Sequence, residues 1–558
     1  MSSAATKPGF ETGAGLLVKR LEAQGVKYIF GVPGAKIDKV FDTLLDSTIK
    51  TVVCRHEQNA AFVAGGIGRM TGRAGVVLVT SGPGCSNLTT GLATASSEGD
   101  PVVAIGGAVP VERGLKHVHQ TMDAVSLFRP ITKFSAEIDS PDTVSEVVGN
   151  AFRIAESGRP GAAFISARQD IMAGRADGDV LTPVAREAQG PADTQAIAAA
   201  ADLINRAQRP ILLLGLLASQ PPAAEAVHTL ITKTQLPVVS TYQAAGVVPR
   251  ELFDYFGGRI GLFHNQPGDK LLDAADLIVT IGYDPVEYEP SLWNAGRKRN
   301  LVHIDAVPSD VDRDYRPQVE LTGDIAATLQ AITNQVKPRV LSSEKKLLDE
   351  VARDRAEFSK LAAGLNGIPI HPSRTVYELQ NLLSDDVTLC SDMGSFHIWL
   401  ARHLYSFRAR QVLISNGQQT LGVALPWAIA ACLVRPSEKV ISVSGDGGFL
   451  FSAAELETAV RLKCNFVHLV WMDGGYDMVR FQEVLKYGRA SGVDFGPVDV
   501  VKFAEAFGAK GLTIQTADDI APTLKKAIDI QGPVVVGIPV DYRDNHLLGQ
   551  DLRPGVLN

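Results

Sequence analysis

Two aspartates set apart by one strand–helix–strand passage carry the first chemical signal in this chain. Gly445-Asp446-Gly447-Gly448-Phe449 follows the β-branched apolar run 439–444, and Asp473-Gly474-Gly475-Tyr476 follows a second such run, 465–472. Between them, 452–463 has helical spacing. The apolar runs read as buried strands, and the whole as one β-α-β unit. Both carboxylates then stand at the carboxyl ends of parallel strands, where open α/β sheets bind ligands. Two carboxylates, a glycine-lined turn and a helix N-terminus suit a divalent cation carrying a diphosphate. Gly-Asp-Gly is also a common turn, and the pattern leaves open which diphosphate is meant.

A second acidic centre lies in Arg55-His56-Glu57-Gln58-Asn59, after the strand-like run 50–54. Glu57 opens a helix of small and apolar residues. A glutamate there can serve the helix dipole at a surface. Buried among small residues, its pKa would instead rise and favour a neutral, hydrogen-bond-donating form. Gly66-Ile67-Gly68 with Gly72 follows helical rather than strand-like residues, the wrong context for a dinucleotide fingerprint.

The elements that must position these groups alternate β with α in three blocks, which predicts α/β architecture with three doubly wound parallel-sheet domains. A chain of 558 residues is too long for one core. Expected boundaries are 10–185, 192–340 and 365–545, separated by a polar linker at 185–193 and a charged, helix-favouring link at 342–360. Expected strands of the middle block are 210–215, 277–282 and 301–305. Residues 422–434, with Pro426, read as a core helix.

With 45% hydrophobic and 21% charged residues, the composition is that of an ordinary soluble globular protein. A net charge of −7 without a basic stripe argues against nucleic acid. The N-terminal residues lack a signal-peptide core, and runs such as 211–218 are too short to span a bilayer. Five cysteines without a Cys-x-x-Cys pair argue against a disulfide framework or zinc site and fit a reducing cytoplasm.

The His56-Glu57 segment, with Ala60, Ala64 and Gly66 after it, resembles the glutamate motif of thiamine-diphosphate enzymes, and the Gly445–Phe449 stretch resembles their metal–diphosphate motif. The likeness continues through Gly31–Gly34, Thr80–Gly84 and Gly422–Pro426 and covers nearly the whole chain. Within that family it is nearest to the acetolactate synthases, in their catabolic, FAD-independent branch. The resemblance implies pyrimidine, central and diphosphate domains. It makes Glu57 the partner of the aminopyrimidine N1′ and thus an indirect acid/base catalyst. It makes Asp446, Asp473 and the Gly475 carbonyl Mg²⁺ ligands, with Gly447, Gly448, Tyr476, Asp477 and Met478 beside the cofactor. Gly394, Ser395, Phe396 and His397 would line the diphosphate, and Gly417, Gln418 and Gln419 a second cofactor-facing loop. Leu421 takes the place of the apolar wedge, where related synthases usually carry methionine. Asp473-Gly474 departs from the family's frequent Asn-Asn. Cys85 reads as a small packing residue.

Three local features point to the catabolic branch. Gly282–Pro290 lacks the arginines of the FAD-binding synthases and adds carboxylates, so FAD is not expected. Gln482 stands where synthases that prefer 2-oxobutyrate carry tryptophan. Phe449–Glu457 and Tyr476–Glu483 resemble the catabolic enzymes. The implied reaction condenses two pyruvates to 2-acetolactate and carbon dioxide through hydroxyethyl-thiamine diphosphate, on an acetoin or butanediol route. Gln120 and Gln482 join Glu57 as catalytic candidates. Lys36 and Lys133 are weaker ones, each also readable as a solvated surface lysine. The family further implies a homodimer or homotetramer, sites shared between subunits, and no regulatory subunit. Another thiamine-diphosphate 2-oxo acid decarboxylase, a biosynthetic acetohydroxyacid synthase and a non-catalytic cofactor-binding protein are the competing readings.

Overall fold

The computed structural model describes residues 12–184, 189–296, 299–341 and 343–549. Its strands gather into three parallel six-stranded sheets. The first contains β1 (Tyr28–Val32), β2 (Lys50–Val53), β3 (Gly75–Val79), β4 (Val102–Ala108), β5 (Phe134–Ile138) and β6 (Ala162–Arg168), in the order β2-β1-β3-β4-β6-β5. The second contains β7 (Pro210–Leu214), β8 (Val238–Thr241), β9 (Phe256–Ile260), β10 (Leu277–Ile281), β11 (Asn300–Asp305) and β12 (Val319–Thr322), in the order β12-β11-β10-β7-β8-β9. The third contains β13 (Val387–Ser391), β14 (Val412–Ile414), β15 (Lys439–Gly445), β16 (Phe466–Met472), β17 (Lys510–Thr513) and β18 (Val534–Pro539), in the order β14-β13-β15-β16-β18-β17.

Parallel neighbours need crossover connections, and the helices that supply them cover both faces of a sheet. That is why β3, β7, β10 and β13 are buried at every position. Separate apolar cores form around the first and third sheets, and two lie against the second. The described chain forms two compact units. One contains the first sheet together with Ile429–Val434 and Glu457–Leu462; the other contains the second and third sheets.

The expected strands appear within a residue or two of their predicted ends. The Gly445–Gly448 stretch is different. It is no free-standing turn, because Asp446 is the first residue of a helix, Asp446–Ser452, that resumes as Glu455–Leu462. The paired glycines argue locally for a turn, but burying Phe449 completely rewards helical backbone there. Residues 422–434 yield the helix Ala424–Val434. The charged link is a helix, Ser343–Ala363, with residue 342 outside the described residues. Residues 185–188 of the expected linker, and the proposed domain limits 10 and 185, also lie outside them. None of the five cysteines is joined in a disulfide. Among the described residues no helix is long and apolar enough to cross a membrane.

Candidate active site

The third sheet brings three carboxylates to the carboxyl ends of adjacent strands. Asp446 follows β15 and Asp473 follows β16, while Asp477 begins the helix Asp477–Tyr487. Asp446 Oδ2 accepts from the Gly474 N–H at 2.8 Å and Oδ1 from its neighbour Gly447 at 2.9 Å. Gly474 has φ +76°, a left-handed conformation that costs glycine little; this aims its N–H at Asp446. Asp477 Oδ2 accepts from Ser395 and Asn545. The counter-charge is Arg480, whose Nη1 donates to Asp473 at 3.2 Å and lies 3.6 Å from Asp477, while Nη2 reaches Asp494 at 2.6 Å. Burial, then the charges of Asp446 and Asp477, push the Asp473 carboxyl up to about 7. Burial likewise raises Asp446 and Asp477. Motif spacing does not reveal Arg480 or Asn545, because the first acts from within the helix Asp477–Tyr487 and the second from a short 3-10 helix, Arg543–Gly549, far along the chain.

Asp392, at the end of β13, is wholly buried, and both its oxygens accept from the Gly422 N–H at 2.9 Å. Burial raises its carboxyl to about 7 although the Met393, Gly422, Val423 and Ala424 N–H groups oppose this. Downstream, Ser395 opens the helix Ser395–His403. Phe396 turns into the apolar core beside Trp471, so its side chain faces no pocket. His397 is fully buried edge-on to Tyr242, and both of its ring nitrogens lack a hydrogen-bond partner. Burial lowers it to about 4. Gln418 and Gln419 are exposed, Gly417 and Leu421 half-buried. Met478 and Gln482, both half-buried, share one face of their helix. Tyr476 packs edge-on to Phe495.

In the other unit, Glu57 begins the helix Glu57–Thr71 and is 8% exposed. Its Oε2 accepts from Asn87 Nδ2 at 2.9 Å. Gln120 has φ +63°, a strained backbone for a non-glycine residue, and its amide oxygen lies 3.4 Å from Ser81 Oγ. Cys85 is buried, and burial pushes its thiol up to about 12; it is a packing residue. Lys133 is exposed, as a surface lysine would be, yet its ammonium is not free. Its Nζ donates to the carbonyls of Ile154, Ser157 and Arg159 at 2.6–2.8 Å, closing the end of the helix Val144–Glu156. Lys36 is half-buried, with its backbone N–H toward Thr80 Oγ1 at 3.4 Å.

The second sheet has the strand order of a dinucleotide-binding fold, whose ligand crevice lies where β7 and β10 diverge. A carboxylate of the chain itself fills that place. Glu287 is 3% exposed and accepts from the Leu216 N–H at 3.0 Å, the Asp284 N–H at 3.1 Å and Thr241 Oγ1 at 2.5 Å. Burial raises it to about 8 against those donors. Tyr283 is buried against Trp293.

Three family models match in sequence: the N-terminal TPP binding domain of thiamine pyrophosphate enzymes over residues 11–127, the central domain over 197–332 and the C-terminal TPP binding domain over 392–538. The catabolic acetolactate synthase of Raoultella terrigena is 56% identical over 539 residues, 96% of each chain. The chain belongs to the acetolactate synthase family of thiamine pyrophosphate enzymes. The acetolactate synthase of Bacillus subtilis (strain 168) is 50% identical over 543 residues, 97% of this chain and 95% of that one. The large subunit of acetolactate synthase isozyme 2 of Escherichia coli (strain K12) is 30% identical over 550 residues, 96% of each chain. In this thiamine pyrophosphate enzyme the N-terminal TPP-binding domain holds Glu57, Asn87 and Gln120. The central domain holds Glu287. The C-terminal one holds Asp392, Asp446, Asp473, Asp477 and Gln482.

Proposed function

We propose that this thiamine pyrophosphate enzyme joins two molecules of pyruvate into 2-acetolactate and carbon dioxide, without FAD, on a catabolic acetoin or butanediol route. The observation that carries the reading is identity above half, over nearly the whole chain, with a catabolic acetolactate synthase.

The residues present fit the cofactor and a cation. Asp446, Asp473 and Asp477 crowd one another in a half-buried site where Arg480 pairs with only the last two, so a divalent cation would relieve their repulsion. No cluster of three or more His, Cys, Asp or Glu side chains is arranged to hold a metal unaided among the described residues; Mg²⁺ needs none where phosphate oxygens and water complete its shell. Asp446, Asp473 and the Gly475 carbonyl would hold Mg²⁺. The first N–H groups of the helix Ser395–His403, with the unpartnered His397 and the Gly417–Gln419 loop, would face the diphosphate. Leu421 and Met478 would offer apolar contact. When bound, thiamine diphosphate supplies the carbanion and the electron sink for decarboxylation. Glu57 would hold a proton at the aminopyrimidine N1′. Gln120 and Gln482 would orient the keto acids, and water must be kept from the site before the second pyruvate reacts. Glu287, seated in the crevice of the second sheet, supports the reading without FAD.

The proposed domains are 10–185, 192–340 and 365–545. Self-association as a homodimer or homotetramer is supported by exposed apolar side chains of the second unit, among them Phe451 at 50% and Tyr487 at 64% exposure; the absence of a regulatory subunit is part of the same proposal. Five cysteines without a disulfide support a cytoplasmic setting.

The test is an assay of the purified protein with pyruvate, Mg²⁺ and thiamine diphosphate but no FAD, with acetolactate and acetaldehyde quantified separately. Acetolactate is the expected main product. Acetaldehyde alone would make the protein a decarboxylase, and a requirement for added FAD would overturn the catabolic assignment.

A further inference from the structure

We infer that Asn87 is the positioning residue for Glu57, fixing one carboxyl oxygen so that the other carries the proton shared with the cofactor's aminopyrimidine; this rests on the role proposed above for Glu57. The geometry distinguishes the two oxygens. Asn87 Nδ2 donates to Oε2 at 2.9 Å. A carboxyl group that becomes neutral keeps its proton on one oxygen only, and an amide N–H needs a lone pair, so the donor on Oε2 leaves the proton to Oε1. Oε1 lies over Gly84: a Cβ there would stand 3.6 Å from Oε1 and 2.9 Å from Thr80 Cγ2. That glycine keeps a side chain off the oxygen that must meet a ligand.

The amide is itself held. The Asn87 N–H donates to the Pro83 carbonyl at 2.9 Å, at the end of the short helix Pro83–Ser86. The base of the turn is tied by Cys85, whose buried Sγ reaches the Thr80 carbonyl at 3.3 Å. Asn87 therefore approaches Glu57 from a fixed backbone rather than a floppy loop, and orientation is what such outer partners contribute. A neutral donor also suits a group that must alternate between charged and neutral forms. An arginine or lysine in the same place would hold Glu57 ionised, whereas an amide orients it in both states.

A double-mutant cycle on the full-length protein separates this role from loop stability. Cofactor-free wild type, Asn87→Ala, Glu57→Ala and the double variant are titrated calorimetrically with thiamine diphosphate in the presence of Mg²⁺. Asn87→Ala should weaken binding about tenfold when Glu57 is present and not at all when it is absent. It should lower kcat more than it raises KM for pyruvate and leave the melting temperature of the cofactor-free protein unchanged. Equal weakening in both backgrounds, a lowered melting temperature or unchanged affinity and kcat would each reduce Asn87 to a loop residue and overturn the inference. Should Glu57→Ala not fold, Glu57→Leu, which likewise offers Asn87 no acceptor, takes its place. If the Glu57 variant binds and turns over like wild type, it is the role of Glu57 itself that fails, a result separable from an inert Asn87.

Discussion

At Asp473 repulsion and function pull in opposite directions. Its carboxyl is crowded by Asp446 and Asp477 and compensated by Arg480. Charge held close to like charge costs stability and is retained where a ligand repays it. Asp473→Asn removes one charge and keeps an oxygen for a cation. The metal-free variant is expected to melt higher than wild type, and turnover at saturating Mg²⁺ to survive, because the asparagine amide oxygen can still ligate the cation. The Mg²⁺ concentration for half activity should rise on the order of tenfold, since charge count sets affinity at oxygen sites. Titration of activity with Mg²⁺, alongside melting curves with chelator, checks both limbs. A lower melting temperature would mean the Arg480 pair outweighs the repulsion.

At the scale of elements, chain reversals are held by buried carboxylates. Asp392 satisfies the N–H groups that open the Gly422–Ala424 turn, and Glu287 those at Leu216 and Asp284. Burial places their folded pKa values at about 7 and about 8. A raised carboxyl pKa means the folded state binds more protons than the unfolded one, so this contribution to stability is intact in acid and lost as pH rises through those values. His397 and His468, lowered by burial to about 4 and about 3, act in the other sense, but only below their unfolded value of 6.5. The melting temperature of the cofactor-free protein should therefore fall between about pH 6.5 and about pH 8. A rising melting temperature across that interval would show both carboxyls ionised in the fold.

For the whole molecule the matter to settle is assembly. Leu450, Phe451, Val479, Val484 and Tyr487 are 44–64% exposed on the helices that follow β15 and β16. Scattered apolar exposure is ordinary, but five such residues on two neighbouring elements of one site suit a covered face. Replacing Phe451 and Tyr487 together by aspartate should lower the mass in sedimentation equilibrium and reduce turnover, with the melting of each unit little changed. An unchanged mass would move the interface elsewhere.

What the sequence determined by itself was periodic or local. Unbroken β-branched runs declare buried parallel strands, because both faces of such strands meet helices, and the three-domain α/β plan follows. Glu57, Asp446 and Asp473 were legible because each closes a strand or opens a helix within a motif of fixed spacing. Tertiary structure alone decided the partners. Asn87 reaches Glu57 across 30 positions, and Ser395 reaches Asp477 across 82. Lys133 is an exposed lysine, as the sequence allows, but its role as a helix cap comes from carbonyls more than 20 residues away. Glu287, read as a charge repelling a flavin, proved to be a plug in the crevice itself. Spacing along the chain encodes elements, whereas a hydrogen bond between loops depends on how sheets are ordered, and that order is settled only when the cores close.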